Sequence, residues 1–314
     1  MIRILITNQK GGVGKSTISA NLAHYFATWR GKRTALLDFD SQASSSRWVK
    51  AVELGTTDNP VDVRNIALPQ QQGFARVLIE LRRQMRLLTP DHDIVVADLT
   101  WNDGLDSEFF FEFDLVIMPS AVSEVELITT IEFAQKHQWV FESTRYRPTL
   151  VLAPSRVRLD QVNMVHRSSQ RFPFSFVLTP PLLDSVDAKR AFAEKFLLHH
   201  RNQKLSDSFL AFCRAIEQTI GIHQARGARP EVFDPQKTGI PSLHSGLKQK
   251  VEIDKAIRNA PAEKTIIQVG RPAIVPNTGS AHRSEQVPEP AVANGITPAR
   301  PNLSLVSKLF GRKD

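Results

Sequence analysis

At 314 residues, 41% of them hydrophobic and 23% charged, the chain is long enough to bury a sizeable core in one large domain or two modest ones. Its single cysteine, Cys213, excludes an internal disulfide and any cysteine-built metal or iron–sulfur site. The formal charge is +8; no charged-then-apolar leader follows Met1, and no apolar run nears the ~20 residues of a spanning helix, so a soluble, cytoplasmic protein is expected.

In chain order, "IRILIT" (2–7), "TALLDFD" (34–40), "DIVVADL" (93–99), "DLVIMP" (114–119) and "PTLVLAP" (148–154) read as strands. Most are nearly continuous apolar runs, as parallel strands buried on both faces require. Between the first two, Ile18, Leu22 and Phe26 recur at helical spacing, and Gly31 falls where that helix would stop. Residues 122–140 form a second amphipathic stretch, basic helical segments are expected near 156–171 and 185–200, and 205–220 closes the domain around Cys213, read as a packed core thiol. Strand–helix alternation on this scale predicts an α/β fold with a doubly wound, mostly parallel sheet over residues 1–222.

Composition changes near residue 223: the last 92 residues carry 10 of the 19 prolines but only 2 of the 24 aromatics, Phe233 and Phe310. Such a segment cannot bury enough apolar surface to order itself, so 223–301 reads as a disordered, proline-rich linker, with a transient helix at "LKQKVEIDKAIRN". The final 302–314 differs, because Leu303, Val306, Leu309 and Phe310 would share one helical face after an Asn302 cap, beside Lys308, Arg312 and Lys313. That basic amphipathic tail suits a membrane surface or a partner groove, although alone it is too short for a stable helix.

The chemistry is concentrated in "ITNQKGGVGKSTISANL", residues 6–22. A strand, a glycine turn, Gly14-Lys15-Ser16 and a helix start make a phosphate-binding loop, although Gln9 stands where the usual G-x-x-x-x-G-K-[ST] pattern begins with glycine. Gly11, Gly12 and Gly14 let backbone amides face phosphates at a helix N-terminus; Lys15 would reach the β/γ oxygens and the Ser16 hydroxyl would ligate Mg²⁺. One lysine suffices for that task, and the loop has a second, Lys10.

"KGGVGKST" resembles the deviant Walker A motif of the ParA/MinD ATPases. The resemblance implies a P-loop NTPase fold, ATP and Mg²⁺ as ligands, and nucleotide contacts from Gly11, Gly12, Val13, Gly14, Lys15, Ser16 and Thr17. It also implies that Lys10 reaches across an ATP-dependent homodimer to the partner's nucleotide, the service an arginine finger gives elsewhere. "LLDFDSQASSSRW" (36–48) is similar to the family's D-x-D-P-Q segment, making Asp40 the switch I carboxylate that serves the attacking water and the magnesium shell, with Asp38 deeper on the strand. Ser41 replaces the usual proline and Gln42 is kept; a turn or N-cap role for Asp40 is the plain alternative. "HDIVVADLTWNDG" (92–104) resembles the Walker B strand, with Asp98 toward Mg²⁺, but Leu99-Thr100-Trp101 replaces the D-x-P-P continuation. "DLVIMPSAVSEVELITTIEFAQ" (114–135) lacks the second proline of the family's P-x-x-P loop, and "LAPSR" (152–156) offers Pro154 and Ser155 for the adenine.

Charge is uneven. Residues 1–144 hold 14 Lys/Arg against 18 Asp/Glu, 145–204 hold 11 against 4, and 205–314 hold 15 against 10. A polyanion partner is therefore expected, met by Arg156, Arg158, Arg167, Arg171, Lys189, Arg190 and Lys195, with Arg145 and Arg147 nearby. With the loop at the very start of the sequence, no helix-turn-helix is expected ahead of it, so binding to double-stranded DNA would be sequence-independent. The resemblance then implies a nucleoid-associated partition ATPase whose hydrolysis is stimulated by a centromere-binding or adaptor protein. The alternative is a MinD-like spatial regulator or protein-cargo positioner that reaches a membrane through 302–314. A metabolic enzyme on the same loop would need substrate or thiol residues that are not found.

Overall fold

Strands β1 (Ile2–Asn8), β2 (Thr34–Asp38), β3 (Asp62–Asn65), β4 (Ile94–Thr100), β5 (Leu115–Ser120), β6 (Thr149–Pro154), β7 (Phe176–Leu178) and β8 (Ile266–Gln268) form one sheet in the order β3-β2-β4-β1-β5-β6-β7-β8. The computed structural model describes residues 1–53, 60–68, 73–143, 146–162, 165, 175–227 and 266–269. Every described strand pairing is parallel. The pleat sends alternate residues to opposite faces and helices cover both, which is why the strands read as unbroken apolar runs. Ile4, Ile6, Leu36, Val96 and Ile117 pack toward one layer, formed by α1 (Lys15–His24), α2 (Ser44–Glu53) and the long closing helix Gln203–Ala225. Leu5, Leu37, Val95, Ala97 and Val116 pack toward the other, formed by α3 (Phe74–Leu88) and α4 (Glu124–Lys136).

Several expectations need correction. The stretch 122–140 breaks at His137 into α4 and a short α5 (Gln138–Phe141). Residues 185–200 are not one helix: α6 (Val186–Arg190) is a single turn and a bit, followed by turns and a 3-10 segment Leu197–His199. Ala193 there has a φ of 59°, which no right-handed helix accommodates. In 156–171 the described part is a 3-10 turn, Leu159–Gln161, with helical residues after it. Helix α7 (Gln203–Ala225) passes the expected boundary at 222. Residues 266–268, placed by composition inside a linker, pair in parallel with β7, so the linker reading fails there. The chain's first unit extends to Val275. Cys213 is buried and free, as expected. The "LKQKVEIDKAIRN" segment and the tail 302–314 lie outside the described residues.

β1 lies between β4 and β5, where the strand order reverses. Open α/β sheets bind ligands at the carboxyl ends of their strands beside such a point, and the glycine loop follows the carboxyl end of β1.

Candidate functional site

The loop is anchored by a residue to which no role was assigned from sequence. Asn8, the last residue of β1, donates its side-chain amide to the Pro119 carbonyl at 2.9 Å and to Thr130 Oγ1 at 3.1 Å, while its Oδ1 accepts the Lys10 N–H at 3.0 Å. Gly12 and Gly14 then take φ values of 73° and 92°. A Cβ at either position would meet nothing within 4 Å, so the backbone angle and not crowding demands glycine. Gly14 precedes α1, whose N-terminus has no side-chain cap and no acidic residue in its first turn. Its leading N–H groups are therefore left for an anion.

Lys15 sits under this loop, 6% exposed, with its Nζ donating to the Lys10 carbonyl at 2.9 Å. Burial lowers its pKa from the ordinary lysine value, while the charges of Asp98 and Asp40 pull the other way. The Lys10 side chain, by contrast, is exposed. Asp98 stands on β4 opposite Ile6 of β1 and Asp38 of β2. It is 1% exposed and, among the described residues, its Oδ2 has no hydrogen-bond partner. Burial, reinforced by the neighbouring Asp38 charge, pushes its pKa up to about 6; hydrogen bonds from Ser16 and Ser45 and the Lys15 charge oppose that rise.

Asp38 and Asp40 have separate tasks. Asp38 Oδ2 accepts from Ser45 Oγ and the Ser46 N–H, both at 2.8 Å, and its Oδ1 accepts the Asp40 N–H at 3.1 Å. It ties the turn to the head of α2. Asp40 lies beyond β2 in the turn: Oδ1 accepts the Gln42 N–H at 2.9 Å, so it is a turn aspartate, and Oδ2 also accepts from Thr100 Oγ1 at 3.0 Å. Trp101, next along, is 2% exposed and stacks on Phe110 at 4.3 Å, with Phe133 and His137 against its edges.

A cavity of about 200 Å³ adjoins the loop, lined by Gly12 to Gly14, Thr17, Ser155, Arg156, Leu182 to Ser185, Lys189 and, deeper, Leu205 and Phe209. It suits a flat apolar group with a polar rim. Ser155 donates its hydroxyl to the Val13 carbonyl at 2.8 Å, while Pro154, at the end of β6, does not line the cavity. Nothing local in the sequence marks Leu182 to Asp184, which lie in a turn after a three-residue strand.

The basic residues are spread over different settings. Arg156, at a φ of 53°, donates to the Gly12 carbonyl at 3.2 Å and lies 3.8 Å from Glu126. Arg158 pairs with Asp160 at 3.0 Å. Lys189 and Arg190 are exposed, and Lys195 is half-buried with its carbonyl accepting the Trp48 indole N–H at 3.1 Å. Arg147 is exposed, and Arg145, Arg167 and Arg171 lie outside the described residues.

The residues present suit a magnesium–phosphate ligand. The Ser16 hydroxyl, the unpartnered Asp98 oxygen and the Asp40 carboxylate are hard oxygen donors at the foot of the loop. Free amides over a buried lysine are what a phosphate chain requires, and on this sheet they define a P-loop nucleotide-binding domain. The family described as the CobQ/CobB/MinD/ParA nucleotide binding domain matches residues 4–267, into the last described strand, and the chain belongs to it.

Among characterised proteins, the maintenance of carboxysome distribution protein A of Halothiobacillus neapolitanus is 29% identical over 141 residues, 42% of this chain and 59% of that protein. The chromosome-partitioning ATPase Soj of Thermus thermophilus is 52% identical over 44 residues, 14% of this chain and 17% of that protein. The chain thus spans less than two thirds of the length of these relatives. Among solved structures, apo McdA of Cyanothece aligns with a TM-score of 0.54 at 14% identity, over 70% of this chain and 100% of that one. The septum site-determining protein MinD of Pyrococcus horikoshii, complexed with Mg-ADP, aligns at 0.53 and 14% identity, over 71% and 98%. These two likenesses are of fold.

Proposed function

We propose that the protein is a magnesium-dependent ATPase that dimerises on ATP, binds DNA without sequence preference, and uses the cycle to segregate or position a plasmid or chromosomal cargo. The observation that carries the reading is the division between two lysines of one loop. Lys15 is buried among Asp98 and Asp40, where it serves its own nucleotide. Lys10 is exposed, while its backbone is fixed from Asn8 and by Lys15. A cation held outward on a rigid loop serves a facing subunit's phosphates more readily than its own. Asp40 orients the attacking water, and Ser16, Asp98 and Asp40 would hold magnesium, which when bound would supply charge neutralisation at the phosphates.

The net of +7 over 145–204, from 11 Lys/Arg against 4 Asp/Glu, supports DNA as the polyanion. The names of the Soj and carboxysome-distribution relatives support cargo positioning. In this reading dimerisation doubles the basic surface, a centromere-binding or adaptor protein triggers hydrolysis, and the separated subunits lose avidity and leave the nucleoid. The test is sedimentation with ATP, ADP and a slowly hydrolysed analogue, with and without random duplex DNA. ATP-dependent dimers are expected, and turnover is expected to return when Lys10→Ala and Asp40→Ala chains are mixed. A monomer at every ATP concentration would refute the proposal. The membrane-directed alternative rests on the amphipathic pattern of 302–314, and liposome flotation that depends on those residues would favour it.

A further inference from the structure

We propose that Thr100 is a positioning residue for Asp40: its hydroxyl latches the carboxylate of the turn after β2 to the end of β4. The inference rests on the reading of Asp40 as the group that orients the attacking water. The D-x-P-P pattern has proline at this position, which offers no hydroxyl; here Thr100 Oγ1 donates to Asp40 Oδ2 at 3.0 Å. The other carboxylate oxygen, Oδ1, accepts the Gln42 N–H at 2.9 Å. One oxygen is thus held by its own turn and the other by a different strand. Torsion of a carboxylate about its last bond is otherwise broad, and two donors on opposite oxygens fix its plane.

Thr100 is itself well held. It is β-branched, with few rotamers, and stands in register with Asn8, the anchor of the phosphate loop. The next residue, Trp101, donates its N–H to the Asn8 carbonyl at 3.4 Å and stacks within 5° of parallel on Phe110. The latch therefore joins three parts that must agree on one geometry: the phosphate loop through Asn8, the end of β4, and the turn that carries Asp40. Asp40 is half-buried, with its main-chain N–H bonded to Asp38 Oδ1 at 3.1 Å, so its backbone is also placed while the latch sets its head.

The test compares Thr100→Val, which keeps the shape and loses the hydroxyl, with Thr100→Ser, which keeps the hydroxyl. Since a misplacement of about 1 Å costs on the order of 100-fold, kcat of Thr100→Val is expected to fall roughly 10- to 100-fold with ATP affinity within twofold of the parent. Thr100→Ser is expected to recover most of the rate. A second readout needs neither turnover nor ligand: hydrogen exchange at the Gln42 and Ala43 amides of the nucleotide-free protein is expected to quicken in Thr100→Val and return in Thr100→Ser. Thr100→Ala, with the same expectations, replaces the valine variant if that chain does not melt cooperatively. Parent-like turnover and exchange in the hydroxyl-free variant would overturn the latch, as would a faster rate. Parent-like turnover in Asp40→Ala would instead overturn the underlying role of Asp40, which separates the two failures.

Discussion

Asp98→Asn is expected to make the nucleotide-free protein more stable while damaging its nucleotide site. The folded chain buries the Asp98 carboxyl at 1% exposure, opposite Asp38, with one oxygen unpartnered. Burial raises its pKa from 3.8 to about 6. Well below pH 4 the acid is neutral in both folded and unfolded chains and costs nothing. Between about 4 and 6 the unfolded chain releases the proton and the folded chain keeps it, so stability falls as pH rises; above 6 the loss is complete. At about 1.4 kcal/mol per pKa unit, a rise of roughly two units is worth about 3 kcal/mol. Asparagine does not titrate, so Asp98→Asn is expected to gain about 2–3 kcal/mol at pH 8 and well under about 1 kcal/mol at pH 4, some being returned through its own imperfect pairing. Urea unfolding of both chains at the two pH values, without nucleotide or magnesium, measures the difference, and acids common to both chains cancel. A gain equal at both pH values, or a loss at pH 8, would refute the electrostatic argument. Fluorescent-nucleotide titration with magnesium is expected to show the opposite ranking, as for other sites where stability and function conflict.

Lys15→Ala is expected to abolish nucleotide binding, since it removes the buried cation beneath the loop; undiminished affinity by titration calorimetry would contradict the assignment. Trp101→Ala is expected to cost about 3–5 kcal/mol in urea unfolding because it empties a ring-lined site, whereas Trp101→Phe keeps most of the packing and stays within about 1.5 kcal/mol. A chain ended at residue 222 loses β8 and the close of α7, leaving β7 as an open edge. Thermal melting and gel filtration are expected to show a less stable, self-associating species, while a chain ended at 275 behaves as the full length; equal melting of the two would remove β8 from the fold.

The centre of the fold was legible because it obeys local rules. Continuous apolar runs at 2–7, 34–40, 93–99, 114–119 and 148–154 reported strands covered on both faces, and all five are found in the sheet. The sheet's margins carry no such signal. β3 is "DVRN", polar and partly exposed, and β7 and β8 have three residues each, too few to show a period. β8 was further hidden because its "IIQ" sits in proline-rich surroundings, and it is held by pairing with a strand about 90 residues earlier, which no local pattern reveals. The site divides the same way. Glycines 12 and 14 and the two lysines announce themselves, because phosphate binding imposes a fixed spacing. Asn8, Thr100 and Leu182 to Asp184 act through partners 25 to 122 positions away. For 185–200, basic and apolar residues at helical intervals suggested a helix, yet the chain folds into turns that seat Phe196 and Leu197 in the core.

The face-to-face placing of Asp38 and Asp98 reaches beyond the chemistry of the loop. An empty molecule carries the cost of the buried Asp98 carboxyl, whereas one occupied at a hundred times its dissociation constant gains about 2.7 kcal/mol by mass action. On the proposed cycle, copies that have just discharged their nucleotide would be the ones most open to proteolysis. The lifetime of this protein in a cell, and with it the number of copies, would then follow the supply of its fuel.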